Sequence, residues 1–190
     1  MTEYDYWKIF PRMPKKVTLG DITVRDGFQH LEKFISTRAK IFYAENMIFA
    51  GCRNIEVTNL GNAYLMPQFS DAEEVLRHLR SDRFKARCEK KGINYDDLTI
   101  TAVTIREPAV DRAIELAKRG IGPDRCLMMV STEEEHHFAN SGTTLPDYWK
   151  ECERAIQKCR DAGLQMCGTV STIWGSPIAG ATELKDAVEF

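Results

Sequence analysis

One unit recurs along this chain and constrains its fold more than any other feature. A short apolar run rich in β-branched residues is followed by a polar loop, a segment with apolar residues at helical spacing, and a glycine. Strand-like runs fall at residues 17–24, 53–58, 98–104, 126–130 and 164–170. Between them, Ser36-Thr37 can cap a helix that turns Ile41, Ala44, Met47 and Ile48 inward and ends at Gly51. Ser70 with Glu73 has the spacing of a capping box ahead of Val75, Leu76 and Leu79. Pro108 opens a helix carrying Val110, Ile114 and Ala117. Pro146 opens another, with Trp149, Cys152, Ile156 and Cys159 on one stripe and Gly163 at its end, and residues 182–190 start a last one.

Strands alternating with helices predict an α/β fold with a parallel sheet and right-handed crossovers. Two architectures satisfy this: an open doubly wound sheet and a closed TIM (β/α)8 barrel. No G-x-G-x-x-G follows the first strand, which weakens a dinucleotide-binding sheet. Polar residues stand at the carboxyl end of nearly every strand: Arg25 and Asp26, then Glu56, Thr58 and Asn59, then Thr104 and Arg106, then Ser131 and Thr132, then Ser171 and Thr172. So many contributing strands suit the mouth of a barrel. A barrel needs eight strands and five are countable, so the chain reads as the first five βα units of a barrel whose remainder is missing from this sequence. Residues 1–16 form an N-terminal extension and 17–190 the partial barrel.

Composition removes several function classes. A net charge of −2 over 190 residues gives no support for a nucleic-acid or anionic-membrane partner. No apolar run approaches the roughly 20 residues that span a bilayer, and the N-terminus lacks the plan of a secretory signal. Six scattered cysteines without a C-x-x-C pair fit a reduced, cytoplasmic protein rather than a disulfide framework or a zinc site. His136-His137 sits beside Glu133-Glu134-Glu135 and reads as a solvated loop, not a metal pair, because adjacent side chains diverge. Cys52 and Cys167 read as core filler.

The chemistry concentrates where the first strand stops on Arg25-Asp26-Gly27. A carboxylate at a strand tip can hold a divalent cation, and a guanidinium beside it can grip an oxo-acid or a developing oxyanion. Glu56 on an apolar strand is a second candidate, since a buried carboxylate is costly unless used or paired.

Val24-Arg25-Asp26-Gly27-Phe28-Gln29, with Ile55-Glu56-Val57-Thr58 at the second strand and Met66-Pro67-Gln68 in the loop after it, resembles the DRE-TIM metallolyases, the pyruvate-carboxyltransferase-like family. The branch most similar is that of the 3-hydroxy-3-methylglutaryl-CoA lyases, whose fifth strand runs into a pattern like Val170-Ser171-Thr172 followed by Gly175-Ser176-Pro177. The synthase branch usually has Glu where this chain has Phe28, and the biotin-linked carboxyltransferases differ at Gly27 and Phe28. The resemblance implies Mg²⁺ or Mn²⁺ held in part by Asp26, and Arg25 stabilising a carbonyl oxygen. It further implies Glu56 supporting the substrate hydroxyl or the metal's surroundings, Gln29 contacting the same network, and Asp21 standing in for a carboxylate that the lyases place just before Arg25. Asp21, Thr58, Asn59, Thr104, Ser171 and Thr172 are the expected substrate contacts. The family's His-x-His metal pair and its cysteine have no match; His30, His78, His136 and His137 do not stand in that pattern.

The implied activity is metal-dependent retro-Claisen cleavage of a 3-hydroxyacyl-CoA to an acyl-CoA and a ketoacid. The implied partners are a small acyl-CoA or 2-oxo acid substrate and, in full-length form, a second copy in a homodimer. A Claisen-condensing acyltransferase of the isopropylmalate or homocitrate synthase type is the alternative. So is a non-catalytic barrel fragment, because an open sheet exposes its edges and apolar faces.

Overall fold

A computed structural model describes residues 16–189 of the chain; the expected extension lies, but for Lys16, outside the described residues. Five parallel strands form one sheet in the order β1-β2-β3-β4-β5. They are β1 (Gly20–Asp21), β2 (Asn54–Asn59), β3 (Thr99–Val103), β4 (Arg125–Ser131) and β5 (Gln165–Ser171). A doubly wound sheet reverses its order at a switch point. Sequence order throughout means that every right-handed crossover returns its helix to the same face, as in a barrel. Among the described residues, five of the eight strands of a TIM barrel are present.

The helices are α1 (Thr37–Phe49), α2 (Ala72–Arg80), α3 (Asp82–Lys90), α4 (Glu107–Lys118), α5 (Glu134–Ser141), α6 (Leu145–Asp161) and α7 (Leu184–Glu189). Strand alternation splits the sheet into two faces. Ile55 and Val57, Ile100 and Ala102, and Cys126, Met128 and Val130 pack on Ala44, Ile48, Leu76, Val110, Tyr148 and Cys159 of the helices. Glu56, Thr101, Arg125 and Ser131 alternate with them and take the opposite face, which becomes a barrel's interior. All six cysteines are free thiols. Burial pushes Cys152 up to about 11 and raises Cys88, so these thiols behave as hydrophobes rather than nucleophiles.

Some local expectations are corrected. The first strand is only two residues long and is not buried: Leu19 is 79% exposed, and Val24 is the first residue of the segment to reach the core. As an edge strand it pairs with β2 alone, through Gly20 and Asp21. It then gives way to a π-helical turn, Thr23–Gly27, in which the carbonyl of Ile22 accepts the N–H groups of Arg25 and Asp26 at 3.1 and 2.7 Å. The helix expected to carry Val75, Leu76 and Leu79 is present as α2, and Ser81 then leaves helical geometry, its hydroxyl capping the separate α3 at Phe84 N–H (3.2 Å). The expected capping box is absent; Asp71 is the N-cap and its carboxylate is drawn instead to Lys40.

The acidic run after β4 is a helix, α5, whose first N–H groups are satisfied by the Glu133 side chain at 2.8 and 2.9 Å. The buried stripe of α6 is Tyr148, Cys152, Ala155 and Cys159. Trp149 and Ile156 stand at its margin, lining a 340 Å³ groove over β5 with Met128 and Met166. Among the described residues no helix is long and apolar enough to cross a membrane.

One side chain ties the loop after the first strand to the rest. Gln68 donates from Nε2 to the carbonyls of Leu31 and Lys33, both at 2.7 Å, and accepts the Ile35 N–H at 3.0 Å. Three bonds to a buried amide fix the otherwise irregular segment 31–35 that follows Arg25 and Asp26. Gln68→Ala strips these partners, and a loss of about 2–3 kcal/mol is expected in urea denaturation. An unchanged midpoint would show that the loop holds itself.

Candidate active site

The π-helical turn decides the geometry of the site. It folds the chain back over β2, so that Arg25, at 7% exposure, points at Glu56 rather than into solvent. Arg25 donates from Nε to Glu56 Oε2 at 2.8 Å, and its Nη2 lies 2.7 Å from the same oxygen as part of the ion pair. Its Nη1 meets Asp26 Oδ1 at 2.5 Å. One guanidinium is thus gripped by two carboxylates, the fork geometry for which arginine rather than lysine is suited. Phe28 secures the turn from behind, edge-on to Tyr43 with ring centroids 5.4 Å apart. A register shift between Glu56 and Thr58 in β2 re-aims its last residues, as bulges near sites do.

Each carboxylate keeps one oxygen in reserve. Asp26 Oδ2 and Glu56 Oε1 make no hydrogen bond among the described residues, and the Asp26 side chain is half exposed. Hard oxygen donors of this kind suit Mg²⁺ or Mn²⁺. They make a partial donor set only: among the described residues no three His, Cys, Asp or Glu side chains converge as a metal cluster. The residues present therefore fit a share of a divalent-cation site, with Asp26 as its donor.

The other expected site residues are placed as follows. Asp21 caps its own turn, accepting from Thr23 N–H at 3.0 Å and Thr23 Oγ1 at 3.1 Å. Gln29 is half-buried beside the turn, and its side chain makes no hydrogen bond among the described residues. Thr58 is buried. Asn59 Oδ1 accepts Gly61 N–H at 2.7 Å at the edge of an 850 Å³ cleft shared with Met66, Arg106, Arg112 and Asn140. Thr104 donates to the Leu127 carbonyl at 3.3 Å.

Ser171 and Thr172 end β5. Thr172 adopts φ 61°, a left-handed conformation unusual for a β-branched residue. It is held there by Thr132, whose N–H donates to Thr172 Oγ1 at 3.1 Å and whose Oγ1 donates to the Thr172 carbonyl at 3.0 Å. The structure thus gathers Arg25, Asp26 and Glu56 into one cluster and leaves Thr104 and Thr172 bonded within the rim.

The adjacent histidines do diverge. His137 is buried against Tyr148, ring centroids 4.6 Å apart, and burial lowers its pKa, keeping the imidazole neutral. His136 turns instead to Ser131, with Nδ1 2.8 Å from Oγ at the tip of β4. Ser131–His136 was not expected, because a five-residue separation across a strand-to-helix turn carries no local signal.

Fold and site together define a partial (β/α)8 barrel with an arginine–carboxylate cluster between the turn after β1 and the interior face of β2. No family model matches the chain. It is 26% identical over 164 residues to the hydroxymethylglutaryl-CoA lyase of Bacillus subtilis, covering 86% of this chain and 49% of that protein. The mitochondrial hydroxymethylglutaryl-CoA lyase of Rattus norvegicus is 24% identical over 168 residues, 88% of this chain and 46% of its own. Among solved structures, an HMG-CoA lyase of Acinetobacter baumannii in complex with coenzyme A and 3-methylmalate superposes with a TM-score of 0.75 at 20% identity, covering 90% of this chain and 50% of that one. The Bacillus subtilis HMG-CoA lyase structure also gives 0.75, at 22% identity, with 93% and 53% covered. The chain is thus similar to HMG-CoA lyases over part of their length and shares their fold there. It spans about half the length of the curated relatives it matches.

Proposed function

We propose that the chain carries the Arg25–Asp26–Glu56 portion of a metal-dependent carbon–carbon lyase. Its reaction is cleavage of a 3-hydroxy-3-alkyl-acyl-CoA, such as 3-hydroxy-3-methylglutaryl-CoA, to an acyl-CoA and a ketoacid. The supporting observation is the guanidinium clamped between two carboxylates, one in the turn after β1 and one on β2. A divalent cation bound there would acidify the tertiary hydroxyl and polarise the neighbouring oxygen.

The chain's own residues supply the rest. Asp26 Oδ2 faces outward as an oxygen donor to that cation. Arg25, immobilised before substrate arrives, presents fixed positive charge to the ketone oxygen that forms as the bond breaks, at no reorganisation cost. Glu56 sets the guanidinium plane through Oε2 and retains Oε1 for the substrate hydroxyl proton. Phe28, packed on Tyr43, keeps a third carboxylate out of the turn, where the condensing synthases usually have Glu.

Acetoacetate formation from 3-hydroxy-3-methylglutaryl-CoA tests the reading. Turnover should disappear in excess EDTA and return with Mg²⁺ or Mn²⁺. Full activity in the chelator would overturn the metal requirement. Condensation of acetyl-CoA with a 2-oxo acid, without cleavage, would move the chain to the synthase branch.

A further inference from the structure

We propose that the 850 Å³ cleft beside Asn59 holds the coenzyme A portion of the substrate, with Arg112 as the cation that binds one of its phosphates; this rests on the lyase reading above. The cleft lies at the carboxyl ends of β2 and β3, between the loop of residues 59–66 and the first turns of α4. One end of it is Asn59, the last residue of the strand that carries Glu56. Its volume suits a cofactor-sized ligand rather than a single ion.

Two features of its walls point to a ligand. Asn59 is 4% exposed, and its Oδ1 is committed to the Gly61 N–H at 2.7 Å. That bond fixes which way the amide faces and leaves the Nδ2 donors with no partner among the described residues. Nearly buried polar groups are ordinarily satisfied, and this one lines the cleft. Arg112 is the second feature. Its one hydrogen bond among the described residues is long, from Nη1 to the Leu60 carbonyl at 3.5 Å, and it makes no ion pair there. Glu73, the carboxylate that feels its charge, is held by Arg77 and Arg119 instead.

The charge balance gives that ligand a chemistry. Arg106, the other guanidinium of the cleft, donates from Nε to both oxygens of Glu151 and from Nη1 to the Ser141 carbonyl, so its charge is already matched. Among the described residues no Asp or Glu lines the cleft. In a chain of net charge −2, Arg112 thus leaves this cleft locally positive, which selects an anion. Met66, Ile105 and Pro108 add apolar wall. An unmatched guanidinium, a buried amide donor and apolar wall fit a phosphorylated nucleotide on a long amide-containing arm better than a bare dicarboxylate. A coenzyme A thioester has that composition.

The test titrates coenzyme A calorimetrically into the protein. Arg112→Gln should bind it at least about tenfold more weakly, and Arg112→Lys within about threefold of the parent, because an ammonium serves a phosphate as a point charge. The parent's affinity should fall more steeply with added NaCl than that of Arg112→Gln. Arg112→Gln should melt within about 2 °C of the parent, since it loses one long bond. No binding by the parent, equal affinity in Arg112→Gln, or an unchanged salt response would each overturn the assignment. So would a markedly lower melting point, which would make Arg112 structural, or inorganic phosphate binding as tightly as coenzyme A, which would leave a bare anion site. If coenzyme A binds through Arg112 but acetoacetate never forms from 3-hydroxy-3-methylglutaryl-CoA, the lyase reading falls and the cleft stands. If turnover is intact and Arg112→Gln binds coenzyme A as the parent does, only the cleft falls.

Discussion

Arg25→Met is expected to lower the cleavage rate by about 10²–10³-fold, the loss seen when one preorganised donor to a developing oxyanion is removed. Methionine approximates the length of the arginine stem without its charge, so the change isolates the guanidinium. Two further consequences reinforce the loss. Glu56 and Asp26, now bridged by Arg25 through Oε2 and Oδ1, would be left as neighbouring carboxylates with nothing between them. The orientation of Glu56 toward the substrate would go with the bond that sets it.

Stability should fall as well, by about 1–3 kcal/mol; a fully buried pair would lose more, but the Asp26 partner is half exposed and screened. Arg25→Lys is not a rescue, since a single ammonium cannot donate from two separate nitrogens to two carboxylates in the fixed plane of the guanidinium. Steady-state kinetics on folded variants checks this. An Arg25→Met enzyme within tenfold of the parent would remove Arg25 from the chemistry.

The largest stability effect is expected away from the site, at Lys40. This lysine of α1 is 1% exposed, and its buried ammonium donates to Asp71 Oδ1 at 2.7 Å and to the Gln68 carbonyl, with the Phe34 ring 4.2 Å away. Asp71 is nearly buried too, and its second oxygen has no partner among the described residues. Lys40→Met would leave a buried carboxylate uncompensated, which typically destabilises by about 3–5 kcal/mol. Lys40→Met combined with Asp71→Leu should recover much of that loss, because removing both charges avoids the stranded one. Urea midpoints of the single and double variants measure both numbers. Equal midpoints for parent and Lys40→Met would mean that the pair contributes nothing. Because the Gln68 carbonyl belongs to this cluster, the single variant should also loosen residues 31–35 beside Arg25.

Much of the fold was legible because its signals are local. Gly51, Gly120 and Gly163 follow their helices at positive φ, Ser36 accepts the Ala39 N–H as the capping pattern predicts, and Pro108 and Pro146 lie in the first turns of α4 and α6. The charged residues Arg25, Asp26 and Glu56 stood out too, since charges set against apolar runs have few other uses, although the structure puts the first two in a turn and the third within β2.

Legibility ended where a residue's environment comes from distant parts of the chain. The alternation of residues 17–24 reads as a strand, but only its pairing at the sheet edge reveals that two residues form one and that a π-helical turn follows. The acidic run after β4 reads as a solvated loop, because the helix there depends on Glu133 folding back on its own N–H groups. Lys40 looks like a surface lysine until Asp71 and Gln68 arrive from the far side of β2.

By itself the sequence determined the order of elements, their strand–helix alternation, and the identity of the charged groups on the first two strand segments. Periodicity and capping act over a few residues and survive without any partner. Only the tertiary structure decided that Arg25 bends back onto Glu56, that Gln68 secures the loop behind it, and that the Thr101 hydroxyl is buried with no partner among the described residues. Each of those depends on atoms brought together from segments 24 to 45 residues apart or more, whose meeting is set by sheet register and packing rather than by any neighbour in the chain.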